Sequence, residues 1–205
     1  MQKQYFITGI GTDVGKTIIS AILTETFQAD YWKPVQCGDL ENTDKQKVKN
    51  LISNNQSQFH KETYLFTASM SPHAAAKLEN IEIDISNINL PQTTNHLIIE
   101  GAGGLMVPLN NKEFVIDLIQ RLNVPSILVS MNYLGSINHT LLSIEALQER
   151  NIPITGIIFN GEENKETERI ISECTKLKIL GKVGFEKEWN KEMVKKYAEQ
   201  FRNIL

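Results

Sequence analysis

The sequence predicts an α/β fold with a mostly parallel sheet and helices on both of its faces. Short runs rich in branched and aromatic residues alternate along the chain with longer segments that carry apolar residues at helical spacing. Several of the short runs are apolar throughout, which is typical of strands covered on both faces. Regular alternation of the two kinds of segment indicates helices packed on both sides of a central sheet.

The predicted strands are rich in residues that fit a pleated, buried surface. In chain order they cover Tyr5–Thr8, Tyr31–Val35, His96–Glu100, Ser126–Ser130, Ile154–Asn160 and Ile179–Val183. The first strand is followed at once by a glycine-rich segment. The third ends in an acid and continues into Gly101-Ala102-Gly103-Gly104.

The predicted helices follow from apolar residues at helical spacing. They cover Lys16–Phe27, Thr43–Ser53, Val115–Leu122, Ile137–Arg150, Thr167–Lys176 and Lys191–Phe201. The stretch 54–94 is less regular: Ser71-Pro72-His73 precedes a short Ala-rich helix, and the remainder has no assigned structure. Because no repeat or long linker divides the chain, residues 1–205 are expected to form a single domain.

Composition and charge exclude several classes of protein. The chain has 205 residues, of which 41% are hydrophobic and 22% charged, close to the average of globular proteins. A net charge of -3 gives no general attraction for nucleic acid or anionic lipid. The N-terminal residues lack a secretory signal, and no apolar stretch is long enough to span a membrane. We therefore expect a cytoplasmic protein that binds neither nucleic acid nor membrane.

The clearest functional signal follows the first predicted strand. It is the segment Gly9-Ile10-Gly11-Thr12-Asp13-Val14-Gly15-Lys16-Thr17, which leads directly into a helical pattern. Glycines let backbone N–H groups surround phosphate oxygens, the helix N-terminus adds partial positive charge, and the lysine neutralises the terminal phosphates. The usual spacing is G-x-x-x-x-G-K-[ST], but here Ile10 stands at the first glycine position. The sequence predicts a variant phosphate loop, with the Thr17 hydroxyl available to magnesium.

Two acidic residues are candidate magnesium ligands. Glu100 closes an apolar strand and precedes glycines, so we expect it at the carboxyl edge of the sheet, where ligands bind in open α/β folds. Asp44 opens the helix that follows the second predicted strand. An N-cap role explains Asp44 as well as metal binding does, and the residues alone leave both alternatives open.

A second lysine lies near the end of the second predicted strand, within Trp32-Lys33-Pro34-Val35. Burying an unpaired ammonium group is costly, so we expect Lys33 to face anions at the edge of the sheet rather than the core. A surface position on an edge strand is the alternative. Together, Lys16 and Lys33 would place two positive charges around a transferring phosphoryl group.

Two later segments carry polar residues where predicted strands end. The segment 132–139 opens a helix, whose N-terminus can hold a carboxylate, although ordinary capping explains the same residues. Asn160 offers a donor and an acceptor, which suits the edge of adenine, although a turn-forming Asn-Gly pair explains it too. His73 and His139 lack the spacing of metal ligands, so zinc chemistry is not expected.

As a set, these motifs resemble the dethiobiotin synthetase family, whose members use ATP to close a ureido ring late in biotin synthesis. The resemblance spans nearly the whole chain and implies a P-loop NTPase-like three-layer sandwich that forms a homodimer. It rests on Gly9–Thr17, Lys33-Pro34-Val35 with Gly38, Thr43-Asp44, Ser71-Pro72-His73, Glu100–Gly104, Leu134-Gly135 with Ile137-Asn138-His139, and Asn160.

The resemblance implies that 7,8-diaminononanoate and CO2 form a carbamate, that ATP phosphorylates it, and that the second amine closes the ring and releases phosphate. The implied catalytic residues are Lys33, Lys16 and Thr12. The implied magnesium ligands are Thr17, Asp44 and Glu100. The implied ATP-binding residues are Gly11, Thr12, Asp13, Val14, Gly15, Lys16, Thr17, Ile18, Asp44, Glu100, Gly103 and Asn160. The implied substrate-binding residues are Thr12, Lys33, Cys37, Gly103, Leu134, Gly135, Ser136 and Asn138, with the 134–138 segment supplied by the partner subunit.

Three positions depart from the family pattern. Cys37 stands where the family often has serine, and a thiol is a poorer hydrogen-bond donor than a hydroxyl. Gly184-Phe185-Glu186 replaces a Pro-rich strand end near the adenine site. Gly11 stands where many relatives carry aspartate.

Two other classes share features with this chain. Dimeric switch ATPases of the partition or nitrogenase-iron-protein type share the predicted fold. They carry an extra lysine at the position that Gly11 occupies here. The synthetase half of a cobyrinate amidotransferase is also similar, but it is normally fused to a glutaminase domain.

Overall fold

A six-stranded parallel sheet is the centre of the computed structural model, which describes residues 2–202. The strands are β1 (Gln4–Gly9), β2 (Asp30–Trp32), β3 (Val35–Cys37), β4 (Tyr64–Phe66), β5 (Leu97–Gly104), β6 (Ser126–Met131), β7 (Ile154–Asn160) and β8 (Ile179–Val183). The main sheet has the order β2-β5-β1-β6-β7-β8, and β3 pairs with β4 in a separate small parallel sheet. In the main sheet β1 lies between β5 and β6, so the loop that follows β1 emerges at the middle of the carboxyl edge.

Helices cover both faces of the main sheet. They are α1 (Lys16–Phe27), α2 (Asp44–Leu51), α3 (Pro72–Leu78), α4 (Val115–Leu122), α5 (Ser136–Glu149), α6 (Lys165–Thr175) and α7 (Lys191–Phe201). Apolar side chains of α1, α2 and α7 share one buried cluster, whereas those of α4 and α5 pack in clusters on the other face. The predicted α/β three-layer fold is confirmed. Among the described residues, no helix combines the length and apolar character needed to cross a membrane.

The prediction of one continuous strand over Tyr31–Val35 is wrong. Strand β2 ends at Trp32, and the chain leaves the main sheet at Lys33 and Pro34 before β3 begins. Pro34 has no N–H group to continue a ladder, and its carbonyl oxygen accepts hydrogen bonds from the backbone N–H groups of Thr63 and Tyr64 instead. The break frees Lys33 from the pleat of either strand.

The prediction that the third strand ends at Glu100 is also wrong, because β5 continues through Gly104. Glycines allow this, since a Cβ atom on Gly101 would lie 2.7 Å from the Phe6 ring, and one on Gly104 would lie 3.4 Å from the Gly9 carbonyl oxygen. A side chain at Gly101 would thus collide with the Phe6 ring of β1, whereas at Gly104 a Cβ atom would only touch its neighbours. Glu100 stands inside the strand rather than at its end.

A buried carboxylate ties the irregular stretch after α2 to the main sheet. Asp30, at the start of β2, is 1% exposed and accepts hydrogen bonds from the Gln58 backbone N–H (2.9 Å), the Thr93 hydroxyl (2.7 Å) and the Asn95 amide (3.2 Å). His60 Nε2 lies 3.1 Å from the same carboxylate. Burial by itself raises the pKa of Asp30, but these hydrogen bonds outweigh it and leave the pKa lowered.

Replacing Asp30 with alanine is expected to destabilise the protein by about 3 kcal/mol, because several buried donors lose a charged acceptor. Since the folded pKa is lowered, the stabilisation from Asp30 is fully present above its ordinary pKa of 3.8 and is lost as the pH falls through the folded value. Urea denaturation at pH 7 and at lower pH measures both effects. Asp84→Ala, which removes an exposed acid that caps a short turn, should cost much less. Equal losses for the two variants at pH 7 would contradict this assignment.

Candidate active site

The loop between β1 and α1 includes two glycines whose positions in the structure exclude a side chain. Gly15 adopts φ +97° immediately before α1, a left-handed conformation that favours glycine. A Cβ atom on Gly9 would lie 2.5 Å from Cγ2 of the buried Val14 side chain. This contact explains the shifted spacing of the motif, because the glycine is needed at position 9, beneath Val14, rather than at position 10.

Lys16 is the first residue of α1 and its side chain is buried along the loop. Its Nζ donates to the carbonyl oxygen of Gly11 at 2.7 Å. Burial lowers the pKa of Lys16 to about 8, Glu100 partly opposes that effect, and Lys33 adds to it. The nearby carboxylates do not fully compensate the burial of the Lys16 ammonium group. The group is therefore suited to binding an anion such as a phosphate.

A cluster of charged side chains lies beside the loop. Lys33 Nζ donates to Asp44 Oδ2 and to Glu100 Oε1, the latter at 3.1 Å. Glu100 Oε1 also accepts from the Thr17 hydroxyl at 2.8 Å, and Glu100 Oε2 accepts from the Tyr31 hydroxyl at 2.8 Å. The cluster therefore joins the start of α1, strands β2 and β5, and the start of α2.

Lys33 is only 7% exposed, so the alternative of a surface lysine is wrong. Burial lowers its pKa, but the carboxylates of Glu100 and Asp44 raise it by more, and the net pKa is raised. Burial likewise raises the pKa of Asp44, but Lys33 outweighs it and the net pKa is lowered. Lys33 and Asp44 thus hold each other in the charged state.

The N-cap alternative for Asp44 is also wrong. Thr43 caps α2, and its hydroxyl oxygen accepts a hydrogen bond from the backbone N–H of Gln46 at 3.3 Å. Asp44 is the first residue of the helix, and its carboxylate is directed to Lys33 and, at 3.4 Å, to Lys47. The Asp44 carboxylate therefore belongs to the charged cluster around Lys33 and does not cap the helix.

Two cavities meet at this cluster. One, of about 310 Å³, is lined by Thr12, Asp13, Gly15, Lys16, Thr17, Ile18, Lys33, Asp44, Glu100 and Gly103. The other, of about 530 Å³, includes Cys37, Lys47, Ser69 and Pro72 in its wall. Thr12, Asp13, Lys33, Asp44 and Gly103 line both cavities. A group bound by the loop and a group in the larger cavity would therefore meet next to Lys33.

Cys37 stands in the wall of the larger cavity at the end of β3. Its side chain is half-buried, and burial raises the pKa of its thiol to about 11. The thiol is therefore neutral near pH 7, and it can only act as a weak hydrogen-bond donor or a packing group.

Asn160 lies beside the loop at the end of β7. Its amide donates to the carbonyl oxygen of Val14 at 3.0 Å, and a Cβ atom on Gly15 would lie 2.2 Å from the amide nitrogen. Gly161 follows with φ +92°, so a turn is present as well. Asn160 thus holds the backbone of the phosphate loop in place through its hydrogen bond to Val14.

The segment Leu134–Asn138 lies apart from both cavities. Gly135, with φ +102°, precedes α5, and Ser136 is buried as its first residue. Leu134 is fully exposed. Leu134, Gly135, Ser136 and Asn138 are all absent from the described walls of the two cavities of their own chain. Their assignment to substrate stays a prediction that needs a second subunit.

Sequence reasoning missed Tyr31, which donates to Glu100, and the pair of Lys47 and Asp39 at the cavity rim, whose charged atoms lie 2.7 Å apart. For Tyr31 the strand pattern gives no signal, because β2 ends at Trp32 and its alternation does not extend to Lys33. For Lys47 and Asp39 the sequence shows only ordinary surface residue types.

The oxygen atoms near Lys33 are the hard ligands that magnesium prefers. They belong to the Thr17 hydroxyl and to the carboxylates of Asp44 and Glu100, which all line the smaller cavity. Within residues 2–202 there is no group of three or more His, Cys, Asp or Glu side chains that could enclose a metal ion. This donor set therefore fits an ion that is also coordinated by phosphates and water.

Comparison with solved structures shows the fold. A ParA family ATPase from Chlorobium tepidum TLS matches with a TM-score of 0.60 and 11% identity, covering 97% of this chain and 98% of that one. The septum site-determining protein MinD from Pyrococcus horikoshii OT3, complexed with Mg-ADP, matches with a TM-score of 0.59 and 10% identity, covering 99% of this chain and 97% of that one. At such identities the likeness to these two proteins is one of fold alone.

Comparison of sequences is more specific. A family model described as an AAA domain matches residues 3–193. The ATP-dependent dethiobiotin synthetase BioD of Christiangramia forsetii is 55% identical over 205 residues, covering 100% of this chain and 99% of that protein. The protein of the same name from Cytophaga hutchinsonii is 53% identical, covering 96% of this chain and 95% of its own length. Both relatives share more than half of their residues with this chain over nearly all of its length, and the phosphate loop and the buried lysine between two carboxylates agree with that likeness. The chain therefore belongs to the ATP-dependent dethiobiotin synthetase family.

Proposed function

We propose that this protein uses ATP and CO2 to convert 7,8-diaminononanoate into dethiobiotin. The observation that carries the proposal is the position of Lys33, whose ammonium group stands where the phosphate-loop cavity and the larger cavity meet. A phosphoryl donor in one cavity and an acceptor in the other would share this charge. Family membership supplies the identity of the acceptor.

Three chemical steps account for the reaction. One amine of the diamine adds to CO2 and loses a proton, which gives a carbamate. A carbamate oxygen attacks the γ-phosphorus of ATP, and ADP leaves. The second amine then attacks the carbamoyl carbon and loses a proton. The bond from that carbon to the anhydride oxygen breaks, phosphate leaves with this oxygen, and the ureido ring is closed.

The residues of the cluster fit these steps. Lys16 holds the phosphates of ATP, and Thr12, which lines both cavities, donates to the transferring group. Lys33 binds the carbamate and stabilises the charge that develops between the carbamate and the γ-phosphoryl group. Cys37 and Gly103 form part of the acceptor wall. Asn160 keeps the phosphate loop in its nucleotide-binding shape.

Magnesium completes the proposed site. Thr17, Asp44 and Glu100 would hold it together with phosphate oxygens, and when bound it neutralises charge on the transferring phosphoryl group. The Thr17 hydroxyl donates a hydrogen bond to Glu100 Oε1 at 2.8 Å, so the oxygen atoms of these two proposed ligands lie next to each other. Tyr31, on the other oxygen of Glu100, fixes the rotation of that carboxylate.

We further propose a cytoplasmic homodimer in which the 134–138 segment reaches the acceptor cavity of the partner. The support is the exposed apolar surface around the start of α5. It includes Leu134, Ile137 and Leu142, and nearby Met106 is also exposed. An apolar surface of this kind is typical of a protein interface.

The test is an assay of the purified protein with the diamine, bicarbonate, magnesium and ATP. We expect dethiobiotin and ADP in equal amounts, and no ADP when the diamine is omitted. Hydrolysis of ATP that is indifferent to the diamine would contradict the proposal and would favour a switch ATPase. Mass spectrometry of the product and a coupled ADP assay give the two readouts.

A further inference from the structure

Glu100 is held by different partners on its two carboxylate oxygen atoms. Oε1 accepts from the Thr17 hydroxyl at 2.8 Å and from Lys33 Nζ at 3.1 Å, and both of these residues line the smaller cavity. Oε2 accepts from the Tyr31 hydroxyl at 2.8 Å. Tyr31 is fully buried and is absent from the described walls of both cavities. Oε1 therefore lies on the cavity side of the carboxylate, and Oε2 is turned away from the cavity.

The Tyr31 hydroxyl is a fixed donor. The Tyr31 backbone N–H donates to the Gln58 carbonyl oxygen at 2.9 Å, and the Tyr31 carbonyl oxygen accepts from the His60 N–H at 2.9 Å. The Tyr31 ring packs against the Phe59 ring, with the ring centroids 5.9 Å apart. Because the backbone and the ring are both held, Glu100 can turn Oε2 toward the cavity only by breaking its hydrogen bond with Tyr31.

The number of oxygen atoms that a carboxylate offers affects which cation it binds. Magnesium requires near-ideal octahedral geometry, and it is usually bound through one or two carboxylates together with water and substrate phosphates. Calcium is larger, takes roughly six to eight oxygen ligands and accepts both oxygens of one carboxylate. A glutamate that offers a single oxygen therefore satisfies magnesium but withholds a ligand from calcium.

We propose that Tyr31 is a positioning residue that sets the metal preference of this site by keeping Oε2 of Glu100 away from the cation. The proposal rests on the proposed function in that a divalent cation binds beside the nucleotide phosphates, but it does not depend on the acceptor or on ring closure. The Tyr31 hydroxyl orients Oε1 for magnesium and withholds the second oxygen from calcium. Tyr31 acts through Glu100, since it lines neither cavity.

The experiment measures, by calorimetry, how tightly the full chain binds a non-hydrolysable ATP analogue with either magnesium or calcium in excess. The readout is the ratio of the two dissociation constants, because a general loss of stability would weaken both complexes alike. The original protein should bind the analogue more tightly with magnesium.

Tyr31→Phe removes only the hydroxyl. We expect the magnesium complex of this variant to weaken roughly 10- to 100-fold, the usual effect of removing a group that orients a metal ligand. The calcium complex should weaken less or become tighter, because Glu100 can then offer both oxygen atoms. The ratio therefore shifts toward calcium.

Tyr5→Phe is the matched control. Tyr5 lies in β1 and pairs with Ile98 of β5, as Tyr31 does from the other side of that strand. It is absent from the described walls of both cavities. The same loss of a hydroxyl at Tyr5 should leave the ratio of the dissociation constants unchanged.

Three results with Tyr31→Phe would overturn the proposal: equal weakening of the two complexes, no change in either, or a greater loss with calcium. An original protein that binds the analogue equally well with both metals, or with neither, would overturn it without any variant. A ratio that shifts as expected in a protein that forms no dethiobiotin would overturn the proposed reaction and leave the role of Tyr31 intact.

Discussion

Replacing Lys33 with methionine will lower the rate of dethiobiotin formation about 100- to 1000-fold, the usual cost of removing a positioned charge from a developing oxyanion. Methionine keeps most of the volume of the side chain but has no ammonium group to share between the carbamate and the γ-phosphoryl group. The loss should appear in kcat, measured with saturating ATP and diamine. Lys47→Met, which removes a lysine at the cavity rim, should have a much smaller effect on kcat.

The same substitution also removes the counter-charge of two carboxylates, so stability must be measured beside activity. Glu100 is 1% exposed, and leaving it unpaired is expected to destabilise the protein by about 3–5 kcal/mol. The double variant Lys33→Met/Glu100→Gln removes that buried charge and should recover part of the stability without recovering the rate. Recovery of the rate together with the stability would mean that Lys33 is structural only.

Replacing Gly15 with alanine is the second substitution for which we expect a large effect. Alanine is strained at φ +97°, and its Cβ atom would lie 2.2 Å from the Asn160 amide nitrogen. The loop must move, and a displacement of about 1 Å at a reacting group costs on the order of 100-fold in rate. ATP affinity should fall as well, because the backbone N–H groups of the loop move relative to Lys16. Calorimetry and the dethiobiotin assay measure the two losses.

Combining Gly15→Ala with Asn160→Ala separates the steric clash from the strained backbone. The clash exists only when both side chains are present, so the double variant should be less destabilised than the sum of the single variants. About 1–2 kcal/mol of backbone strain should remain, because the left-handed conformation is still unfavourable for alanine. Additive losses of stability would show that Asn160 does not limit the space at Gly15.

The parts of the fold that the sequence predicts well are those with strong local patterns. The helix Lys16–Phe27 and the strand Ile154–Asn160 have the predicted bounds because their patterns end at glycines or polar residues. The stretch 54–94 carries no such pattern. Its order comes from distant contacts, above all from the Asp30 carboxylate, and a hydrogen bond between residues far apart in the chain leaves no periodic trace.

The candidate site shows the same division. Residues of the phosphate loop were predictable because one mechanism dictates their types and spacing. The break of the strand at Lys33 was not predictable from apolar character, since Trp32 and Val35 are equally apolar on either side of it. Nor was the continuation of β5 past Glu100, which depends on how closely the backbone of β1 approaches. The roles predicted for the substrate-binding residues remain predictions.

The separation of β3 and β4 from the main sheet has a consequence for how the enzyme can diverge. The small sheet carries Cys37 and leads into Gly38, which packs against Ser69, so one wall of the larger cavity belongs to this module. The phosphate loop follows β1, in the main sheet. Substitutions in the module would therefore reshape that wall of the cavity without altering the strand that carries the phosphate loop.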